Sequence, residues 1–234
     1  MPACNEELLI ERAIAALLVS ADELDDPASL RLVVACDTCT DDTVRIADAM
    51  AAVDPRVEVI EGSWRNAGAA RAAAIDRALQ AVCALAPQTD VWVATTDADT
   101  LVPVDWLTTH AQSWERGDHA VAGVVDLLDA DPTVQGEFDR HYAVGHDAHG
   151  HVHGANLGVR ADAYTIVGGF PEIELAEDHA LWRRLRDAGF TCRSSVALRV
   201  ATSARLSSRA PGGFADMLSS MMAPALLDVV GESA

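Results

Sequence analysis

The sequence predicts an α/β domain: a mostly parallel sheet flanked by helices. Three observations carry this. Apolar runs of strand length alternate with helix-length segments through the first 125 residues. The links between them are short, which suits strands covered on both faces. The chain has 234 residues, 50% of them hydrophobic, enough for one full core without disulfides or a structural metal.

The elements follow in order. MPACNEE at the start reads as the loop and helix entry that follow a first strand, so that strand is expected to be missing or truncated. Asn5 is the expected helix cap, with Glu6 and Glu7 in the first turn. Residues 30–35 (LRLVVA) are a buried strand, 41–52 a helix, 57–60 a short strand and 67–86 an alanine-rich helix. The run 91–95 is the next strand. Pro103 opens a helix over 103–116, and 120–125 returns to strand. Beyond 126 the alternation weakens into a loop region with one helix. Then come a strand (156–159), a helix (160–167), a Gly168–Gly169 break, a helix over 175–188 closed by Gly189, and a closing strand over 190–200. The expected organisation is a domain over 1–213, divided at 125, followed by a helical tail over 214–234 that could pair two copies of the chain.

Charge narrows the function. Arginine supplies all 17 basic residues against 36 acids, a net charge of −19. Such a surface repels nucleic acid and anionic lipid. A bound nucleotide would need a cation or local arginines. The five cysteines are scattered; Cys36 and Cys39 lack the second pair that a zinc site requires. They read as reduced thiols, and with no leader or membrane-spanning run the expected location is cytoplasmic.

The chemistry sits in carboxylates. In sheets of this type, ligands bind beyond the carboxyl ends of the strands. Asp37 stands at one such end, and TTDADT puts Asp97 and Asp99 at another. Two carboxylates so placed can hold Mg²⁺ or Mn²⁺ through oxygen ligands, or they can simply form an acidic turn. Asp37 can accept a base N–H, or belong to an Asp-rich turn. Glu177–Asp178 opens a helix, where acids are common and where one can also serve as a general base. Arg71 is either a local cation or a solvent-facing residue. The cluster His141, His146, His149, His151 and His153 reads as a flexible loop of solvated histidines rather than a transition-metal site.

Taken in order, PACNEE, VVACDTCTDDT, NAGAARAAAI, TTDADT, HGANLGVR and GGF…AEDHALWRRLRDAGF resemble the inverting family-2 glycosyltransferases over residues 2–213. The resemblance implies a GT-A, Rossmann-like fold and a nucleoside-diphosphate-sugar donor, UDP-linked by preference. It implies that Pro2, Ala3 and Glu6 line the nucleoside and that Asp37 meets the uracil. Asn66, Gly68 and Arg71 match a loop at the donor, and Asp97–Ala98–Asp99 matches the DxD, with Asp99 the metal ligand and Asp97 nearer the ribose. Asp178 becomes the base and Glu177 its neighbour that orients substrate. Gly154, Asn156 and Arg160 fall on the acceptor side. The loop over 126–154 would select the acceptor, which the sequence leaves open.

One departure stands out. Many relatives carry a late metal-binding histidine where this chain reads ATSARLSSR. Arg205 and Arg209 are the expected substitutes, neutralising the diphosphate. The rival reading is a degenerate homologue that binds a nucleotide without turnover. A sugar nucleotidyltransferase fits less well, because those enzymes use a GxGxR-type loop with a lysine, and this chain has neither.

Overall fold

In the computed structural model, which describes residues 1–146, 148–173, 175–207 and 213–231, the run LVVACD forms β2 (Leu32–Asp37), buried at all six positions. A strand apolar on both faces belongs inside a parallel sheet. β1 (Pro2–Ala3) and β3 (Val57–Gly62) flank β2 accordingly, both parallel to it. Helices α1 (Ile10–Asp22) and α2 (Thr43–Val53) make the two crossovers.

The second sheet has five strands in the order β4-β7-β6-β8-β5: β4 (Trp92–Thr95), β5 (Thr100–Leu101), β6 (Ala120–Leu128), β7 (Leu157–Arg160) and β8 (Cys192–Ser203). Here the parallel expectation holds only for β6 and β8; the other three pairings are antiparallel. The short link from β4 to β5 cannot carry a parallel crossover, so β5 runs on to pair with the end of β8. Residues from both sides of position 125 share this sheet, with Thr95 of β4 opposite Leu157 of β7.

The helices aim the site. Ile10, Ile14 and Leu17 of α1 pack in one cluster with Val34 and with Trp106 of α4 (Trp106–Glu115). A second cluster joins Ile75 of α3 (Ala67–Val82), Tyr164 of α6 (Ala161–Ile166), and Leu181 and Leu185 of α7 (Glu177–Asp187). Leu181 and Leu185 are fully buried, each worth about 1.5–3 kcal/mol. They fix the rotation of α7. Glu177 lies one turn before Leu181 on the same face, so it points inward toward α3. Gly189, at φ 82, closes α7 as expected.

Several expectations change. The first strand is present, though only two residues long, and Pro2–Ala3 pairs with Ala35 and Cys36 rather than forming a loop. Asn5 does not cap α1, which begins at Ile10 after Leu9. Asn5 instead takes φ 55, a conformation Asn tolerates, and its Oδ1 accepts from the Thr40 N–H at 2.8 Å. Pro103 precedes α4 instead of opening it; its carbonyl accepts the Trp106 N–H at 3.1 Å. The histidines are solvated only in part: His141 and His146 are exposed, whereas three others in the loop are half-buried. His149, His151 and His153 alternate, share one side and stack about 5.9 Å apart. The Tyr142 ring stacks on His151 at 3.9 Å, just beyond α5 (Pro132–His141). The tail forms α8 (Phe214–Gly231), whose Leu218 and Met222 are buried within this chain's own core beside Phe138.

Candidate active site

The carboxyl ends of β2 and β4 and the start of α7 meet in one cleft. Arg71, on the second turn of α3, joins them. Its Nη2 donates to Asp97 at 2.8 Å and its Nη1 to Glu177 at 2.6 Å. Its side chain is 3% exposed, so it is not solvent-facing. Burial works against its charge, but Asp97 and Glu177 outweigh that and raise its pKa above the usual arginine value. The Phe170 ring lies 5.3 Å from the guanidinium carbon, a cation–π contact in a dry setting.

Two glycines make room for this bridge. A Cβ on Gly68 would stand 2.7 Å from Glu177 Cγ, and one on Gly154 would stand 2.6 Å from Arg71 Cζ. Gly68, expected in a loop at the donor, turns its open side to Glu177. Asn66 caps α3, accepting from Ala69 N–H at 2.8 Å.

Asp178 sits beside the bridge. Its Oδ2 accepts the Gly154 N–H at 2.9 Å, and its Oδ1 accepts the His179 N–H at 2.7 Å. Burial and then the Glu177 charge push its pKa up. Thr95 Oγ1 donates to the Gly154 carbonyl at 2.7 Å, tying this segment to β4. Sequence reasoning missed Thr95 and Phe170. The first was visible as a hydroxyl at the strand end; the second stood in the GGF motif, but only the fold shows its ring against Arg71.

On the other side of Asp97–Ala98–Asp99, Arg205 takes the corresponding place. Its Nη1 lies 2.8 Å from Glu6 Oε1 and 2.9 Å from Asp99 Oδ2. β5 and β8 hold this geometry: Thr100 Oγ1 and Thr202 Oγ1 are 2.9 Å apart, and Ser203 N–H donates to the Asp99 carbonyl at 3.1 Å. Arg209 lies outside the described residues. At the end of β2, Asp37 is buried and accepts the Arg65 and Asn66 N–H groups at 2.9 and 3.1 Å. It therefore anchors the loop that starts α3. Pro2 and Ala3, also buried, lie alongside β2 just before Asp37.

Two acceptor-side expectations fail. Asn156 is fully buried: it donates to the Val124 and Leu198 carbonyls at 2.8 and 2.9 Å and accepts from Trp106 Nε1 at 2.9 Å. Its amide bridges the break in β6–β8 pairing at Gly123/Val124, and no group is left for a substrate. Arg160 pairs with Trp92 at the opposite end of β4 from Asp97, and its side chain holds Asp162 at 2.6 Å. Only Gly154 of the three reaches the cleft.

Backbone strain gathers here. Asn5, Thr38, Arg65 and Ala176 all have positive φ, between 49 and 58°. Each directly precedes or follows a residue of the cleft: Glu6, Asp37, Asn66 and Glu177. Non-glycine residues held there cost about 1–3 kcal/mol each and concentrate at functional sites.

The charges fit a divalent cation. Glu6, Asp37, Asp97, Asp99, Glu177 and Asp178 make six carboxylates against the two guanidinium groups of Arg71 and Arg205, a net of −4 (2 − 6) among these side chains. The Asp99 pKa is pushed up to about 6, by burial first and by Asp97 and Glu6 as well, with Arg205 opposing. Among the described residues, however, no three His, Cys, Asp or Glu side chains are arranged to hold an ion. A cation here would share its shell with water or with a ligand's oxygens, as Mg²⁺ commonly does.

The model of glycosyl transferase family 2 matches residues 1–166. Among solved structures, TarS of S. aureus matches with a TM-score of 0.63 and 14% identity, over 86% of this chain and 35% of that one. The mannosyltransferase PcManGT from Pyrobaculum calidifontis, in complex with GDP-Man and Mn²⁺, gives 0.62 at 21% identity over 89% and 56%. TarS 1–349 in complex with UDP-GlcNAc gives 0.60 at 16% identity over 83% and 54%. This chain thus spans between 35% and 56% of the length of those proteins, and the likeness is one of fold. No curated protein matches the chain. The fold it shares with these glycosyltransferases and the family match over 1–166 lead to one conclusion: the chain belongs to glycosyl transferase family 2.

Proposed function

We propose that this chain transfers a sugar from a nucleoside-diphosphate sugar, UDP-linked by preference, to an acceptor hydroxyl with inversion. The observation that carries this reading is the Arg71 bridge between Asp97 and Glu177. One side chain joins Asp97 to the start of α7, which supports reading the two as parts of one site for a single displacement. TarS with UDP-GlcNAc and PcManGT with GDP-Man and Mn²⁺ support a nucleotide-sugar donor.

Asp178 takes the acceptor's proton as the acceptor oxygen bonds to C1 and the bond from C1 to the diphosphate oxygen breaks. Its raised pKa brings it nearer to the operating pH, which favours a general base. Gly154 N–H orients its carboxylate. Glu177, neutralised by Arg71, is free to hold a sugar hydroxyl. Asp37, Glu6 and the β1 backbone line the nucleoside side. Asp99, with Asp97 beside it, would hold Mg²⁺ or Mn²⁺, which supplies positive charge to the leaving diphosphate. Tyr142 and the histidines before Gly154 border the acceptor side. No helix among the described residues is long and apolar enough to cross a membrane; we infer cytoplasmic action on an acceptor of undefined class.

The test is a panel of UDP- and GDP-sugars with Mn²⁺, read as nucleotide release. We expect one UDP-sugar to turn over, and Asp178→Asn to slow release roughly 10²-fold at unchanged donor affinity. Saturable UDP binding with no release from any donor would instead favour the non-catalytic homologue.

A further inference from the structure

Gly154 gives its N–H to the Asp178 carboxylate at 2.9 Å, and its carbonyl accepts from the Thr95 hydroxyl at 2.7 Å. Glycine is required there, because the Arg71 guanidinium fills the space a Cβ would take, with Cζ 2.6 Å from that position. Glycine is also the residue whose backbone is least fixed by its own sterics. The N–H that orients Asp178 therefore sits on a pivot, and something outside Gly154 must hold it. Thr95 is placed to do so. It is the last residue of β4, it is 2% exposed, and it pairs with Leu157 of β7. Its Oγ1 also lies 3.3 Å from the Leu157 carbonyl. A hydroxyl has one proton to give, and Gly154 is the nearer acceptor. Thr95 thus straddles the turn Gly154–Asn156. Valine has nearly the same shape and suits a strand equally, so packing alone does not call for a hydroxyl here. A buried hydroxyl is costly unless it is hydrogen-bonded, and this one is bonded to the pivot.

We propose that Thr95 is a positioning residue for the general base: through Gly154 it fixes the direction in which the Asp178 carboxylate meets the acceptor. This rests on the reading of Asp178 given above and deepens it. Two arms then join the end of β4 to the first turn of α7. One runs through charge, from Asp97 to Arg71 to Glu177. The other runs through neutral donors, from Thr95 to Gly154 to Asp178. The first holds the helix against the strand end, and the second aims the carboxylate. Thr95 touches none of the donor-side carboxylates, so losing its hydroxyl should spare donor binding and slow the proton transfer, which depends on a close and aligned approach.

The experiment compares Thr95→Val and Thr95→Ser with wild type, using the UDP-sugar that turns over. Thr95→Val should lower kcat roughly tenfold and leave donor KM within about twofold. Thr95→Ser keeps the hydroxyl and should hold kcat within about threefold of wild type. A Thr95→Val kcat within about twofold of wild type, or equal losses in the two variants, overturns the proposal. A rise in donor KM as large as the fall in kcat also overturns it, because the whole cleft has then moved. The second readout needs no turnover. The Gly154 amide proton resonance should move upfield in Thr95→Val, as it should in Asp178→Ala, and stay in place in Thr95→Ser. A Gly154 resonance unmoved in Thr95→Val overturns the proposal. If no donor turns over in wild type, the base reading fails, and this resonance still decides whether Thr95 aims the Asp178 carboxylate. Should Thr95→Val not fold, Thr95→Cys, whose thiol is a weaker donor, should show the same resonance shift to a smaller degree; an unmoved signal there refutes the role.

Discussion

The two arginines of the cleft do opposite things with the same chemistry. Arg71 is packed: two nitrogens, two carboxylates, an aromatic ring at 5.3 Å and two glycines that exist to admit it. Arg205 is perched: one nitrogen for two carboxylates, on a chain segment leaving the sheet. A buried ion pair is strongly destabilised when one partner goes, because the other is left charged and dry. Arg205 is 27% exposed, but Glu6 and Asp99 beside it are buried, so its loss also leaves carboxylates in a dry setting short of that cation. Arg71 is therefore the more deeply built-in of the two, and Arg205 the more open to solvent.

That contrast can be broken most severely at Arg71. Arg71→Met removes the charge and leaves Asp97 and Glu177 facing each other. We expect a loss of roughly 3–5 kcal/mol, a fall of about 10 °C in melting temperature for a chain of this size. Arg205→Gln keeps a polar side chain beside the buried Glu6 and Asp99 and should cost less, about 1–3 kcal/mol. Thermal unfolding of the two variants side by side checks this; equal losses would erase the distinction.

The next effect is on pH. Asp178 must be ionised to take a proton, and burial with the neighbouring Glu177 raises its pKa, while the Gly154 and His179 N–H groups and Arg71 favour the charged form. Activity is thus lost as pH falls through a pKa above the ordinary aspartate value of about 3.9. The acid limb of kcat/KM should lie above that value and vanish in Asp178→Asn. A limb at the ordinary value would place the titrating base elsewhere.

Gly154→Ala sharpens the same comparison with a smaller perturbation. Its new methyl meets the Arg71 guanidinium at 2.6 Å and leaves Arg205 untouched. We expect about 1–3 kcal/mol of overpacking and at least tenfold slower turnover, with bare Mn²⁺ binding unchanged. Turnover within twofold of wild type would mean the Arg71 bridge tolerates displacement.

What the sequence discloses follows from range. Strand and helix alternation is local, so the order of elements through Gly189 was legible, as were carboxylates at strand ends. Pairings across long separations were not. Arg205 reaches Glu6 across 199 positions, and no spacing rule connects them. Asn156 looked like a polar residue available to a substrate; its burial depends on the broken register of β6 and β8, which only the assembled sheet reveals. The histidines show a near miss. They read as a solvated loop, because the stacking partner of His151, Tyr142, lies several residues upstream and no local spacing connects the two.

Arg160 tests the lower limit of the contrast. It is an arginine with a carboxylate partner, as Arg71 and Arg205 are, holding Asp162 at 2.6 and 2.9 Å. Its pair, however, is two residues apart in sequence and sits at the far end of β4. It joins no second carboxylate and no element of the cleft. Arg160→Ala should then shift stability by less than about 1 kcal/mol and leave donor KM and kcat within twofold. A selective rise in acceptor KM with kcat unchanged would return Arg160 to the acceptor side and show that the cleft extends round the end of the sheet. The physical ground for expecting otherwise is distance: β4 separates Arg160 from Asp97 by its full length, and a strand of four residues spans roughly 13 Å.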